Sequence, residues 1–239
     1  MVPEKQISDL VSRLRTAAGT NLRAVILYGS AVAGDYVPDY SDVNLLCVLG
    51  DTSFASIQAL AATVEWWHKQ KHRVPLLMGE EELQRSADVF SVEFLDMQQN
   101  HRVLWGEDSL KGLAIPMRFH RAQVEYELRE KTILLRQRLL MVAGDAAAKW
   151  ELLLRSVPAF ATLARHTLVA LGEKGAASKR EAVETLAAKV GFDASAFSQL
   201  LDIRERKADL KAFEVDELFA RYLKTVERIT AAADEMLDS

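Results

Sequence analysis

Residues 27–45 read Leu27-Tyr28-Gly29-Ser30-Ala31-Val32-Ala33-Gly34-Asp35-Tyr36-Val37-Pro38-Asp39-Tyr40-Ser41-Asp42-Val43-Asn44-Leu45, and the fold turns on how this stretch is parsed. The run that enters it, Ala24-Val25-Ile26-Leu27-Tyr28, is rich in β-branched residues and stops abruptly at Gly29-Ser30. The run that leaves it, Val43-Asn44-Leu45-Leu46-Cys47-Val48-Leu49, is closed by Gly50. Both are apolar at nearly every position, the pattern of central strands covered on both faces. Between them lies a polar loop in which Asp35 beside Gly34 and Asp39 beside Pro38 read as turn formers.

Outward from this pair of strands the first half alternates. Gln6 to Ala18 places Ile7, Leu10, Val11 and Leu14 at helical spacing, with Gly19 as the stop. Phe54 to Lys71 reads as a long helix, Arg73 to Met78 as a strand and Glu80 to Ser86 as a short helix. Phe90 to Leu95 and Arg102 to Trp105 are further strand candidates, so this half is a layered domain of mixed strands and helices. From Pro116 the texture changes. Met117–Val142, Lys149–Leu171, Ser178–Val190, Asp193–Ala208 and Val215–Leu237 are helical in pattern and propensity, punctuated by Gly144, Gly172, Gly175 and Gly191. Ser178 with Glu181 makes a capping box, and Pro158 predicts a kink or break in the second of these helices. The expected architecture is α+β: a mixed sheet with flanking helices over residues 1–112, then an all-α bundle of four or five helices over 113–239.

Composition narrows the function classes. The 239 residues are 49% hydrophobic and 27% charged, close to soluble globular averages, which excludes disordered and fibrous classes. The longest apolar runs fall far short of a membrane span, and the first residues lack the uninterrupted apolar core of a signal peptide. One cysteine, Cys47, can form neither an internal disulfide nor a cysteine zinc site, and together these features predict a cytoplasmic protein without a membrane partner. Net charge is −4: residues 1–115 carry 10 Lys/Arg against 15 Asp/Glu, and the remainder 20 against 19. Neither half is the basic surface that long nucleic acid selects.

The residues of the loop suggest chemistry. Gly29 lets backbone approach a ligand with no Cβ in the way, while Ser30 and the amides after it can donate to an anion. Asp42 and Asn44, two apart, are expected on one side of their strand, where they can face a metal ion held near a phosphate. Gly-Ser followed by Gly34-Asp35, Pro38-Asp39 and Ser41-Asp42 resembles the DNA polymerase beta-like nucleotidyltransferase superfamily. An α/β domain followed by a helical bundle is similar in arrangement to its kanamycin-type and small bacterial members. The resemblance covers about the first 105 residues, with its motif confined to 27–46.

What the resemblance implies is transfer of a nucleoside monophosphate from a nucleoside triphosphate, ATP above all, to a hydroxyl with release of pyrophosphate. Gly29 and Ser30 would bind the triphosphate, and Asp42, the residue at 44 and a later acid would hold two Mg2+ ions. Glu93 best matches that later acid, as ligand or as general base, with Asp96 as the alternative. The sequence departs from the family at one position: Asn44 stands where a second carboxylate belongs. An amide oxygen coordinates without charge, so the second ion is expected to bind weakly. If the change removes ~3 kcal/mol of transition-state stabilisation, the rate falls about a hundredfold. An alternative class is therefore a slow or inactive nucleotide-binding homologue serving as sensor or interaction module. A further alternative is an antitoxin-like partner of a helical protein. The acceptor is expected to be a small molecule or a protein side chain, with the nucleotide between the domain and the bundle, and a homodimer through the bundle is compatible with every reading.

Other clusters carry bland readings. His68 and His72, four apart beside Trp66-Trp67, read as a solvated helix end. Arg204, Arg206 and Lys207 read as a solvated face balanced by Glu205 and Asp209. None of the five histidines has an arginine at the upstream spacing of the toxin-type ribonuclease bundles, which excludes that activity.

Overall fold

The computed structural model describes residues 1–173, 176 and 178–235. The chain divides into two compact units, Met1–Pro116 and Met117–Ser239.

In the first unit, α1 (Glu4–Ala18), β1 (Leu22–Tyr28), the one-turn α2 (Ser30–Ala33), β2 (Asn44–Leu49), α3 (Phe54–Lys69), β3 (Leu76–Gly79), α4 (Glu80–Arg85), α5 (Ser91–Gln99) and β4 (His101–Gly106) follow in order. The four strands form one sheet in the order β3-β2-β1-β4. β1 runs antiparallel to both neighbours, whereas β2 and β3 are parallel, so the sheet is mixed. The continuous apolar runs of β1 and β2 are explained by two cores. Val25, Leu27, Leu45 and Cys47 pack with Leu10, Leu14 and Trp67 on the face covered by α1 and α3. Ala24, Ile26, Leu46 and Val48 pack with Met78, Leu83, Phe94 and Met97 on the other. Burial pushes the Cys47 thiol up to about 12, which leaves it an inert core group.

The α+β arrangement expected from the sequence is the one observed, with one element corrected. The strand expected over Phe90–Leu95 is instead the first turn and a half of α5, Ser91–Gln99. Six residues alternating apolar and polar around Glu93 look like a strand in isolation. Extended to Met97, the apolar positions fall at Phe90, Phe94 and Met97, the four-then-three spacing of a helix, and Phe94 and Met97 are buried. The Phe90 and Phe94 rings meet edge to face at 6.2 Å. Smaller differences concern strand starts: β2 begins at Asn44, which leaves Asp42 in the loop, and β3 begins at Leu76, which leaves Arg73 before it.

The second unit contains five longer helices among the described residues: α6 (His120–Val142), α7 (Ala146–Ala170), α8 (Lys179–Val190), α9 (Ser195–Arg204) and α10 (Val215–Glu235). α7 is the central member, packed on the other four, and Phe160, Phe197, Leu218, Tyr222 and Val226 lie in its core. Ser178 Oγ accepts from the Glu181 amide at 3.1 Å, as the capping residues predict. Gly175 and the expected helix end at Leu237 lie outside the described residues.

Pro158 does not break α7. Proline has no N–H to donate to the carbonyl four residues back, which here belongs to Leu154. Arg204 Nη1 donates to that carbonyl at 2.7 Å, and Arg204 is only 7% exposed. Its position in the basic cluster is therefore not a solvated face: Arg204 replaces a missing helix hydrogen bond. Lys207 does pair with Glu205, at 2.5 Å. No helix of the described residues is long and apolar enough to cross a membrane.

Candidate active site at the end of the central strand

The end of β1 is fixed from both sides. Tyr28 is paired in register with Asn44 of β2 and with His101 of β4. The chain then turns at Gly29, whose amide donates to the Asn100 carbonyl at 3.1 Å and whose carbonyl accepts from Val32 and Ala33 at 2.9 and 3.0 Å. These last two bonds start α2 and place Ser30, half-buried, as its first residue. Gly29 adopts φ 76° and ψ −147°, which a side chain rarely tolerates, and a Cβ there would lie 3.2 Å from Asn44 Nδ2. The Gly-Ser turn and the Asn44 carboxamide are thus in direct apposition.

Asp42 arrives by a compact turn. The Val37 carbonyl accepts from the amides of Tyr40 and Ser41 at 3.0 and 2.7 Å, and Ser41 Oγ accepts from the Val37 amide at 3.0 Å. Two residues before the strand, Asp42 keeps a half-open carboxylate that pairs with Arg73 Nε at 3.2 Å. It is close enough to Tyr36 to add, after burial, to the upward push on that phenol.

Arg73 is the residue that sequence reasoning missed. Its backbone carbonyl accepts the indole N–H of fully buried Trp67 at 2.7 Å, which ties the approach to β3 onto α3. Trp67 in turn stacks on His72 at 3.9 Å, and His72 Nε2 bonds Gln6 Oε1 at 2.8 Å. His68 Nδ1 meets the His72 carbonyl at 3.2 Å, so both histidines take part in local packing contacts. Trp66, half-buried against the same core, carries the Arg13 guanidinium over its ring at 4.2 Å. In the sequence Arg73 is only the last of a run of basic residues, Lys69, Lys71 and Arg73, ahead of an apolar strand, which does not point to the site.

Tyr28, Asn44 and Arg73 line an open cavity of about 310 Å³ with Val74, Pro75 and Leu76. Burial raises the Tyr28 phenol above its ordinary value, Arg73 lowers it and Glu93 raises it further. The phenol therefore senses both a cation and a carboxylate, and Glu93 of α5 belongs to the same electrostatic neighbourhood as Arg73 although it comes from a helix. Beside this cluster, His101 Nε2 bonds both carboxylate oxygens of Asp108 at 3.1 Å. Burial pushes the Asp108 carboxyl up, but His101 and the amides of Leu110 and Lys111 outweigh it and hold it below the usual range.

No family model matches the chain, and no curated protein matches it. Among solved structures, spectinomycin adenyltransferase AAD(9) from Enterococcus faecialis, crystallised with ATP and spectinomycin, aligns with a TM-score of 0.62 at 15% identity, over 97% of this chain and 99% of that one. The chain has a nucleotidyltransferase fold. A nucleotidyltransferase-like protein from Exiguobacterium sibiricum also matches, with a TM-score of 0.34 at 13% identity over 97% of this chain and 78% of the other.

Among the described residues no three His, Cys, Asp or Glu side chains gather as a metal cage. The oxygen donors that the motif offers at the end of the sheet are the Asp42 carboxylate, paired with Arg73, and the Asn44 amide oxygen. Hard cations accept both oxygen types and complete their shells with water and phosphate oxygens. The set fits a single Mg2+ brought with a polyphosphate better than a preformed pair of ions.

Proposed function

We propose that the protein is a nucleotidyltransferase that moves a nucleoside monophosphate from ATP to the hydroxyl of a small molecule or a protein, with Mg2+. The observation that carries this reading is the apposition of the Gly29-Ser30 turn and Asn44, with Asp42 two residues before Asn44 and paired with Arg73, which lines the same cavity as Asn44. Two further observations support it: the fold is shared with a nucleotidyltransferase, and that relative was crystallised with ATP and a small-molecule ligand.

In this reading Gly29 admits the polyphosphate close to the backbone, and Ser30 with the first amides of α2 donates to its oxygens. Asp42 and the Asn44 carbonyl oxygen would hold the cation, which supplies charge neutralisation at the phosphates. The acceptor hydroxyl oxygen forms a bond to the α-phosphorus as the bond from that phosphorus to the pyrophosphate oxygen breaks. The hydroxyl proton passes to the carboxylate of Glu93, and Tyr28 and Arg73 set the field around that group.

Calorimetric titration with ATP in the presence of Mg2+ tests the reading. Wild type is expected to bind, and Asp42→Ala to lose the Mg2+-dependent part of binding. Asp42→Ala that binds like wild type removes Asp42 from the site.

Asn44 favours a second reading, a nucleotide-binding homologue with weak or no turnover. The Asn44 atom nearest the position a Cβ on Gly29 would take is its amide nitrogen, a donor and not a ligand. If wild type releases no pyrophosphate from ATP while Asn44→Asp does, this second reading holds. Turnover by wild type excludes it.

A further inference from the structure

Arg73 presents a problem that the nucleotide reading does not answer. The residue offered for metal binding, Asp42, already has a cationic partner, and that partner lines the cavity beside Asn44. The pair is made through Nε at 3.2 Å, with 70% of the Arg73 side chain and 45% of the Asp42 side chain exposed. A pair this exposed shifts an equilibrium by no more than about fivefold, so a divalent cation can displace it. The displaced guanidinium remains tethered close by, because its backbone carbonyl is held by Trp67. A planar fork of donors with permanent charge is the side chain best suited to phosphate oxygens.

We propose that Arg73 is an exchangeable counterion: it neutralises Asp42 in the ligand-free protein and transfers to the polyphosphate when a divalent cation takes Asp42. This rests on the nucleotide reading and deepens it, since it makes cation and nucleotide binding mutually dependent at one residue. The charges balance in both states. Without ligand, one carboxylate faces one guanidinium; with ligand, the carboxylate faces the cation and the guanidinium faces phosphate. By linkage, the effect of the cation on nucleotide affinity equals the effect of the nucleotide on cation affinity.

The signature is a change of opposite sign in two measurements on one variant. Arg73→Gln removes the competitor for Asp42, so Mn2+ affinity of the nucleotide-free protein, read from the free-ion electron paramagnetic resonance signal, is expected to rise about two- to fivefold. The same variant loses a charged phosphate partner, so its affinity for a fluorescent ATP analogue with Mg2+ is expected to fall on the order of tenfold or more. Arg73→Lys, which keeps charge without the fork, should lie between wild type and Arg73→Gln in both. A structural role alone would weaken both or neither, and either result overturns the proposal. Wild type that binds the analogue no better than Arg73→Gln overturns the exchange alone and leaves the nucleotide reading intact. Wild type that does not bind the analogue at any Mg2+ concentration overturns both.

Discussion

The carboxamide of Asn44 stands 3.2 Å from the point where a side chain on Gly29 would begin. Asn44 opens β2 and Gly29 directly follows the last residue of antiparallel β1, next to the Tyr28–Asn44 pair, so sheet register places the two residues side by side. Register is what brings the two halves of the motif, fifteen residues apart, into one place.

Gly29→Ala therefore meets two obstacles, a φ of 76° and the Asn44 side chain. The expected loss is about 1–3 kcal/mol of stability in urea denaturation. Nucleotide affinity should fall more than stability, because the added methyl occupies the approach to the backbone. Unchanged affinity would show that the turn is not used by the ligand.

Asn44→Asp adds a second carboxylate two residues from Asp42. Mg2+ affinity is expected to rise by roughly tenfold, ~1.4 kcal/mol, as ligand charge increases. In the absence of Mg2+ the variant should be the less stable protein, because it adds a second negative charge two residues from Asp42. Denaturation with and without the ion checks both signs.

Tyr28 reports on the assembly of the site without any ligand. Its phenol is raised by burial, lowered by Arg73 and raised by Glu93. In difference titrations at 295 nm against Tyr28→Phe, Arg73→Gln should move ionisation to higher pH and Glu93→Gln to lower pH. The stability consequence has a definite sign. The folded phenol ionises above its unfolded value, so its contribution is complete below pH about 10 and is lost as pH rises beyond it. Shifts in the same direction for both variants would show that the two charges do not flank the phenol.

In the bundle, Arg204 and Pro158 are coupled through the Leu154 carbonyl. Arg204→Met leaves that carbonyl short of its partner and is expected to cost about 2 kcal/mol. Pro158→Ala restores an N–H to the same carbonyl and should return part of the loss, with a coupling of about 1 kcal/mol in a double-mutant cycle. Strict additivity of the two substitutions would separate them.

Much of this was legible in residues 24–49. Continuous apolar runs identified β1 and β2 because both faces of each strand are covered, and Gly-Ser with its spaced acids marked the turn between them. Glu93 was legible as an acid in an apolar setting, but not as a helical residue, because six residues are too few to separate a period of two from one of 3.6. Arg73 was not legible at all. Its contact with Asp42 crosses 31 residues of chain and depends on where Trp67 holds the segment before β3, neither of which leaves a local pattern. Arg204 was misread for a related reason: a basic cluster in sequence says nothing about a proline on another helix.

β1 is hydrogen-bonded along both edges, whereas Asp42 and Arg73 reach the site from segments outside the sheet. The Gly29-Ser30 turn is thus fixed by the sheet, whereas Asp42 and Arg73 are held by loop contacts. Under the proposed function, adaptation to a different acceptor would proceed by rewriting residues 34–43 and 70–75 while the sheet that holds the Gly29-Ser30 turn stays as it is.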